Sequence, residues 1–197
     1  TTFGGCTSLT SITIPDGVTS IGTATFLDCT SLTSITIGNG VTSIGTTTFG
    51  GCTSLTSITI PDGVTSIGGG AFSRCTALTS ITIPDGVTSI GGDAFRDCTS
   101  LTSITFQGVA PTVGSNAFSG VADGAVALVI VSTSFGASGD DWNGLTVDPI
   151  LIWTTTDGKV TITECNGAAT GELIIPDTIE GKPVTSIGDD AFSRCTS

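Results

Sequence analysis

The sequence predicts a β-rich solenoid of 23-residue coils, and three columns of residues predict it. Phe3, Phe26, Phe49, Phe72 and Phe95 recur every 23 positions. Cys6, Cys29, Cys52, Cys75 and Cys98 keep the same step, as do Leu9, Leu32, Leu55, Leu78 and Leu101. A fixed period of about 20–50 residues marks one supersecondary unit per repeat, stacked so that neighbours bury a face none buries alone. The apolar fraction of 38% is modest, but its strict periodicity supplies a continuous core.

The coil from Cys52 to Arg74 shows the elements in order. Leu55, Ile58 and Ile60 have the spacing LxxIxI, and the two isoleucines alternate with Ser57 and Thr59 as in a half-buried strand. Pro61-Asp62-Gly63 ends that strand with turn chemistry, since Pro presets φ while Asp and Gly favour a reversal. Val64 and Ile67 mark a second short extended stretch, closed by Gly68. The run from Gly69 to Cys75 completes the coil, with Phe72 and Cys75 three apart on a helical or 3₁₀ turn. Leu, Ile, Ile, Val, Ile, Phe and Cys thus face inward in each coil. Parallel stacking puts equivalent residues about 4.8 Å apart, so five coils make a rod roughly 20–25 Å long.

The pattern LTSITIPDGVTSIGxxAFxxC resembles the BspA-like branch of the leucine-rich repeat family. It runs through residues 1–118 and returns at 172–197. The resemblance implies a leucine-rich repeat array with short strands and 3₁₀ or helical turns. It also implies a non-catalytic scaffold for adhesion or for protein or glycan recognition, placed outside the cell or on its surface.

The middle departs from the motif. Phe118 keeps the register, 23 after Phe95, but Val121 replaces the expected Cys. An apolar run over 125–132 leads to Phe135, Trp142, Leu145 and Val147. This stretch resembles the β element that ends such arrays, a last strand and a Trp-bearing turn covering the exposed core. Asp157-Gly158 followed by Lys159 to Thr163 reads as a hairpin arm or leading strand. Leu173-Ile174-Ile175-Pro176-Asp177 restarts the motif, with about five extra residues before Val184 and Ile187; that is similar to the unit that opens an array in this family. The expected organisation is a leucine-rich repeat array over 1–118, an array-ending cap segment over 119–150 and the start of a second repeat array over 151–197. Because the chain opens late in one repeat and stops late in another, it is expected to be an internal piece of a longer protein. The alternative is a filament subunit whose open ends stack head to tail.

Charge removes several classes of partner. Five Lys and Arg against 17 Asp and Glu give a net charge of -12, which opposes nucleic acid and anionic membrane surfaces. No window has the form of a membrane span or a signal peptide, so no membrane insertion is expected. With no histidine, there is no Ser–His or Cys–His pair, and metal-assisted hydrolysis lacks its commonest ligand. Asp140 and Asp141 beside Trp142 imitate a carboxylate pair, but neighbours in a Gly-rich loop point apart, and a capping loop is the reading. The glycines mark turns rather than a phosphate-binding strand-to-helix junction. Neither catalysis nor a cofactor is expected.

Stacked thiols have Cβ atoms near the rung spacing of about 4.8 Å, longer than the roughly 3.5–4.5 Å a disulfide needs. A buried reduced ladder is therefore expected, and the 23-residue spacing offers no zinc site. Cys165 and Cys195 lie outside the ladder or at its restart; free thiols are the expectation there, with a bridge between the two as the alternative, and cysteine usage alone does not give the compartment. Asp16, Asp62 and Asp85 recur at one turn position, where the second repeat carries Gly38-Asn39-Gly40. Neighbours such as Asp62 and Asp85 have the chemistry to share Ca²⁺, but turn formation alone explains them, and no metal is expected. Arg74 and Asp97 occupy the same position in consecutive repeats, so an ion pair across the rung is expected.

The candidate partner face is the outward side of the first strands. Ser11, Thr13, Ser34, Thr36, Ser57, Thr59, Ser80, Thr82, Ser103 and Thr105 form two hydroxyl ladders almost free of charge. In the leucine-rich repeat family this strand lines the face that usually binds partners. The plainer account is that Ser and Thr simply keep an exposed strand soluble; a third is that the regular ladder orders water or meets an ice lattice. No Asn-x-Ser/Thr sequon occurs, which leaves O-linked sugar as the modification the composition permits.

Overall fold

A computed structural model describes residues 2–129, 134–136, 139–165, 175–179, 181–193 and 195. Over residues 11–129 the coils stack in parallel and in register, each paired strand one 23-residue step from its neighbour. On the first face lie β1 (Ser11–Ile14), β2 (Ser34–Ile37), β5 (Ser80–Ile83), β7 (Ser103–Phe106) and β9 (Val126–Val129). Here Ser11 pairs Ser34, Ser80 pairs Ser103, and Ser103 pairs Val126. On the second face, β3 (Ser43–Ile44), β4 (Ser66–Ile67), β6 (Ser89–Ile90) and β8 (Thr112–Val113) form one continuous sheet. A bridge between Ile21 and Ile44 carries it back one coil further.

Residues 57–60 differ from the expected strand. Their side chains alternate outward and inward as anticipated, with Ile58 and Ile60 buried, yet they belong to no strand. That coil is held instead by its second face and its turn, where Gly68 N–H donates to Ile44 O (2.8 Å) and Phe49 N–H to Ala71 O (2.8 Å). The segments expected to be helical or 3₁₀ turns also take a related but different form. Cys75 N–H donates to Phe72 O (3.1 Å), the anticipated three-residue bond, while the alternating amides of Phe72 and Arg74 donate to Ala94 O and Arg96 O in the next coil. Two left-handed residues per coil, such as Gly70 and Arg74, stop a helix from propagating.

The columns read from the sequence fill the core. Phe3, Phe26, Phe49, Phe72, Phe95 and Phe118 stack with centroids 5.2–5.5 Å apart and rings within 17° of parallel. Glycine is required at Gly68 and Gly91 by rung-to-rung contact: a Cβ at Gly68 would lie 2.6 Å from Gly45 C. Thr48 shares its column with Thr25 and with Ala71, Ala94 and Ala117, and its buried hydroxyl is satisfied by Gly45 O at 2.7 Å and Gly22 O at 3.1 Å.

The Phe column ends on Trp142. That side chain packs on Phe106, Phe118 and Phe135 at 5.1, 6.0 and 4.7 Å, in tilted or edge-on contacts that favour aromatic pairing. It lies in β10 (Asp141–Trp142), which hairpins to β11 (Leu145–Pro149) beside β9.

A second core cluster gathers Leu128, Ile150, Leu151, Val160, Ile162, Cys165, Ile179 and Ala191. Around it, β12 (Leu151–Thr156) and β13 (Lys159–Cys165) form a hairpin through Asp157-Gly158, both at positive φ, the conformation of a tight primed turn. Next, β14 (Thr178–Ile179) and β15 (Lys182–Ile187) form another hairpin that accommodates the extra residues, and β15 pairs in parallel with β13. The restart motif is described from Ile175; Leu173 and Ile174 lie outside the described residues, as do 130–132 of the apolar run.

One cysteine expectation is corrected here. Cys165 and Cys195 are joined in a disulfide, their Cα atoms 6.0 Å apart. Cys195 follows Phe192 by three as Cys98 follows Phe95, but below it lies a β-hairpin strand instead of another coil. The rung-spacing argument therefore does not apply to this pair.

Candidate functional site

The ten hydroxyl residues fall on one side of the first-face strands because side chains alternate along an extended chain. Ser11, Thr13, Ser34, Thr36, Ser57, Thr59, Ser80 and Thr82 are exposed; Ser103 and Thr105 are half-buried. Register aligns Ser11 with Ser34, Thr13 with Thr36, Ser80 with Ser103 and Thr82 with Thr105.

Neighbouring threonines behave differently, which sequence reading missed. Thr42, Thr65 and Thr88 donate their hydroxyls to the carbonyls of Thr19, Thr42 and Thr65 one coil back, at 3.2–3.3 Å. Thr33 and Thr102 do the same to Thr10 (3.0 Å) and Thr79 (3.3 Å). Those columns bind coil to coil. By contrast, none of the ten face hydroxyls makes a hydrogen bond among the described residues. The signal was present in the sequence, as Thr recurring after Leu and after Val, but it does not say which hydroxyls turn toward the backbone.

The hydroxyl face ends at the fifth coil. There Ser103 and Thr105 pair with Val126 and Leu128, and Leu128 is buried in the second cluster. The unit formed by β12 to β15 thus closes off the face at that end.

A second surface lies over the turns. A groove of about 610 Å³ is bordered by Leu27, Thr46, Thr47 and Ser73, by glycines including Gly69, Gly70 and Gly92, and by Arg74, Asp93, Arg96 and Asp97. The expected ion pair between Arg74 and Asp97 does not form. Asp97 leans toward the following coil, where a Cβ on Gly120 would meet its Oδ1 at 2.5 Å, and its Oδ2 lies 3.5 Å from Arg96 Nε. Arg96 Nη1 is also 3.6 Å from Asp93 Oδ1. Arg74 has no ion pair among the described residues.

Cys6 of the first coil is exposed, while the thiols from the second coil onward are buried. The Sγ atoms of Cys52, Cys75 and Cys98 donate to the carbonyls of Phe26, Phe49 and Phe72 at 3.1–3.2 Å. Burial above all pushes Cys52 and Cys98 up to about 12 from an ordinary 9.0, and Cys75 well above it. The Asp turns close locally: Val64 N–H donates to Pro61 O (3.0 Å), and Asp16 Oδ1 accepts from Asn39 N–H (2.9 Å). Among the described residues no three carboxylate or thiol groups converge as metal ligands. Nor is any helix among them long and apolar enough to cross a membrane.

Parallel 23-residue coils, an inward Leu/Ile/Phe ladder and exposed strand faces define a leucine-rich repeat scaffold. The family model for the BspA type Leucine rich repeat region matches six copies over residues 1–123, and the chain belongs to that family. No curated protein matches the sequence. Among solved structures, a leucine-rich repeat protein of T. pallidum is 30% identical with a TM-score of 0.52, over 73% of this chain and 68% of that one. A leucine-rich repeat protein from Bacteroides ovatus is 26% identical with a TM-score of 0.51, over 99% of this chain and 67% of the other. A leucine rich cell surface protein from Faecalibacterium prausnitzii is 28% identical over 93% of this chain and 57% of its own length, with a TM-score of 0.46.

Proposed function

We propose that the chain is a non-catalytic scaffold, outside the cell or on its surface, that recognises a protein or glycan through the Ser/Thr strand face. The observation that carries this reading is the contrast between threonine columns. Hydroxyls of the flanking columns are bound to the neighbouring coil, whereas the ten face hydroxyls, eight of them on exposed residues, make no hydrogen bond among the described residues. Each such hydroxyl is both donor and acceptor, so a ladder of them meets a polar ligand without the desolvation penalty of unpaired charges. The Cys165–Cys195 disulfide supports an oxidising compartment, since such bonds persist chiefly in secreted and surface proteins. The absence of any histidine from the sequence supports a binding role over catalysis.

The test is a glycan and matrix-protein array probed with the unaltered chain and with Thr36→Glu/Thr59→Glu/Thr82→Glu. These three residues are exposed, but three carboxylates on successive rungs repel, so the variant should melt somewhat lower and is probed well below its melting temperature. Loss of a bound spot by a fully folded variant supports the strand face. Undiminished binding by the variant moves recognition elsewhere.

A further inference from the structure

The groove over the turns holds a residue that the scaffold does not explain. Gly5, Asp28, Gly51, Arg74, Asp97 and Gly120 form one column, and all have positive φ between 56° and 77°. Glycine takes that conformation freely and Asp tolerates it, whereas a long side chain there is strained. Among those six residues arginine occurs only at Arg74, and the restarted motif repeats it at Arg194; Arg74 is exposed and without an ion pair among the described residues. The turn itself is held by the Arg74 N–H bond to Arg96 O (2.7 Å), but that bond needs no arginine side chain, so the choice of a long cationic residue at a left-handed position is a pointer to function. Residues 1–158 contain two cations in all, Arg74 and Arg96, and both border this groove.

We propose that the groove binds a sugar acid, with Arg74 holding its carboxylate. The guanidinium fork matches a carboxylate through two parallel hydrogen bonds. Two guanidiniums and two carboxylates leave the groove net neutral, with Arg96 flanked by Asp93 and Asp97 and Arg74 without an ion pair among the described residues; a monoanion can pair with Arg74 alone, whereas a phosphate dianion would bring a second charge against the carboxylates. The rest of the lining suits ring hydroxyls. Gly69 and Gly92 carry N–H groups without a partner among the described residues, Ser73 supplies a hydroxyl, and Asp97 supplies acceptor oxygens. A volume of about 610 Å³ falls within the usual range of small-ligand sites. The net charge of -12 slows an anion's approach at long range, which salt screens, but does not oppose contact with Arg74. This site is separate from the strand face and stands or falls independently of it.

Calorimetric titration with glucuronic acid, glucose and inorganic phosphate tests the proposal on the unaltered chain, Arg74→Gly and Arg74→Lys. Glucuronate should bind while glucose does not. Arg74→Gly should bind it at least about tenfold more weakly, the loss of a charged hydrogen-bonding partner, and Arg74→Lys should fall between. Because glycine relieves the strained φ, Arg74→Gly should melt at the same temperature or about 2–4 °C higher. The Thr36→Glu/Thr59→Glu/Thr82→Glu variant should bind glucuronate normally. Failure of glucuronate to bind, equal binding by Arg74→Gly, or phosphate binding as tightly as glucuronate would overturn the proposal. A lowered melting temperature for Arg74→Gly would do so as well, by making Arg74 a structural residue.

Discussion

Cys98 and Cys195 occupy the same place in the motif, three residues after a phenylalanine, and end in different chemistry. Cys98 is a buried thiol whose Sγ donates to Phe72 O at 3.1 Å; Cys195 is in a disulfide with Cys165. The difference lies in what sits on the adjacent rung. In the array each coil rests on an identical coil, and side chains at one column run parallel at the rung spacing. In the unit formed by β12 to β15 the coil rests on a hairpin strand, whose end brings Cys165 within disulfide reach. A repeat motif therefore sets the side chain, and its neighbour sets the reaction.

The largest effect that would break this comparison comes from the array core. Leu55 is fully buried, so Leu55→Asp places an unpaired charge between stacked coils and should cost at least about 4–5 kcal/mol. Circular dichroism on heating should show the array's transition lost or greatly lowered; a normal melt would mean that the coils do not share one core. Next comes the disulfide, whose cysteines are 30 apart in sequence. Cys165→Ser with Cys195→Ser should remove roughly 3–4 kcal/mol on the chain-entropy account. Hydrogen exchange should register that loss in β12 to β15 and leave the amides of the 1–123 array protected, because the two cores are separate clusters.

Alkaline pH sharpens the thiol side. In the folded chain Cys52 and Cys98 are raised to about 12, from an ordinary 9.0 that the unfolded chain restores. Above pH 9 the unfolded state loses protons that the folded state keeps, so stability is full below that point and falls as pH rises toward 12. Denaturant melts at pH 8 and 11 should show the drop, and Cys52→Ala/Cys98→Ala should reduce it, leaving the share of Cys75 and Cys29. A drop of equal size in that variant would assign it to other groups. The smallest effects separate the two kinds of threonine. Thr65→Val removes a hydroxyl bonded to Thr42 O and should destabilise by about 0.5–1 kcal/mol, whereas Thr59→Ala should stay within about 0.5 kcal/mol. Chemical denaturation of both variants decides it, and equal losses would erase the distinction on which the proposed face rests.

Legibility followed repetition. The Phe, Leu and Cys columns were plain because a core shared between identical coils must repeat, and all three are buried from the second coil onward. The alternation of Ser57 and Thr59 with Ile58 and Ile60 was equally plain, though not the lapse of backbone pairing at 57–60, which depends on how neighbouring coils sit. Trp142 was expected as a cover only through the resemblance to array-ending elements, and its packing on Phe106, Phe118 and Phe135 agrees. The Arg74–Asp97 pairing misled because shared column position ignores which way a side chain leans. Asp97 leans forward over Gly120, where no Cβ stands in its way.

By itself the sequence determined the period, the inward residues, the turns and the absence of histidine chemistry, because each follows from composition and spacing along one chain. Only the tertiary structure decided which threonines bind the preceding coil and which face water, that Arg74 borders a groove with no ion pair among the described residues, and that Cys165 meets Cys195. Those outcomes depend on distances between residues far apart in sequence, set by the stacking of coils and by the hairpin that interrupts it.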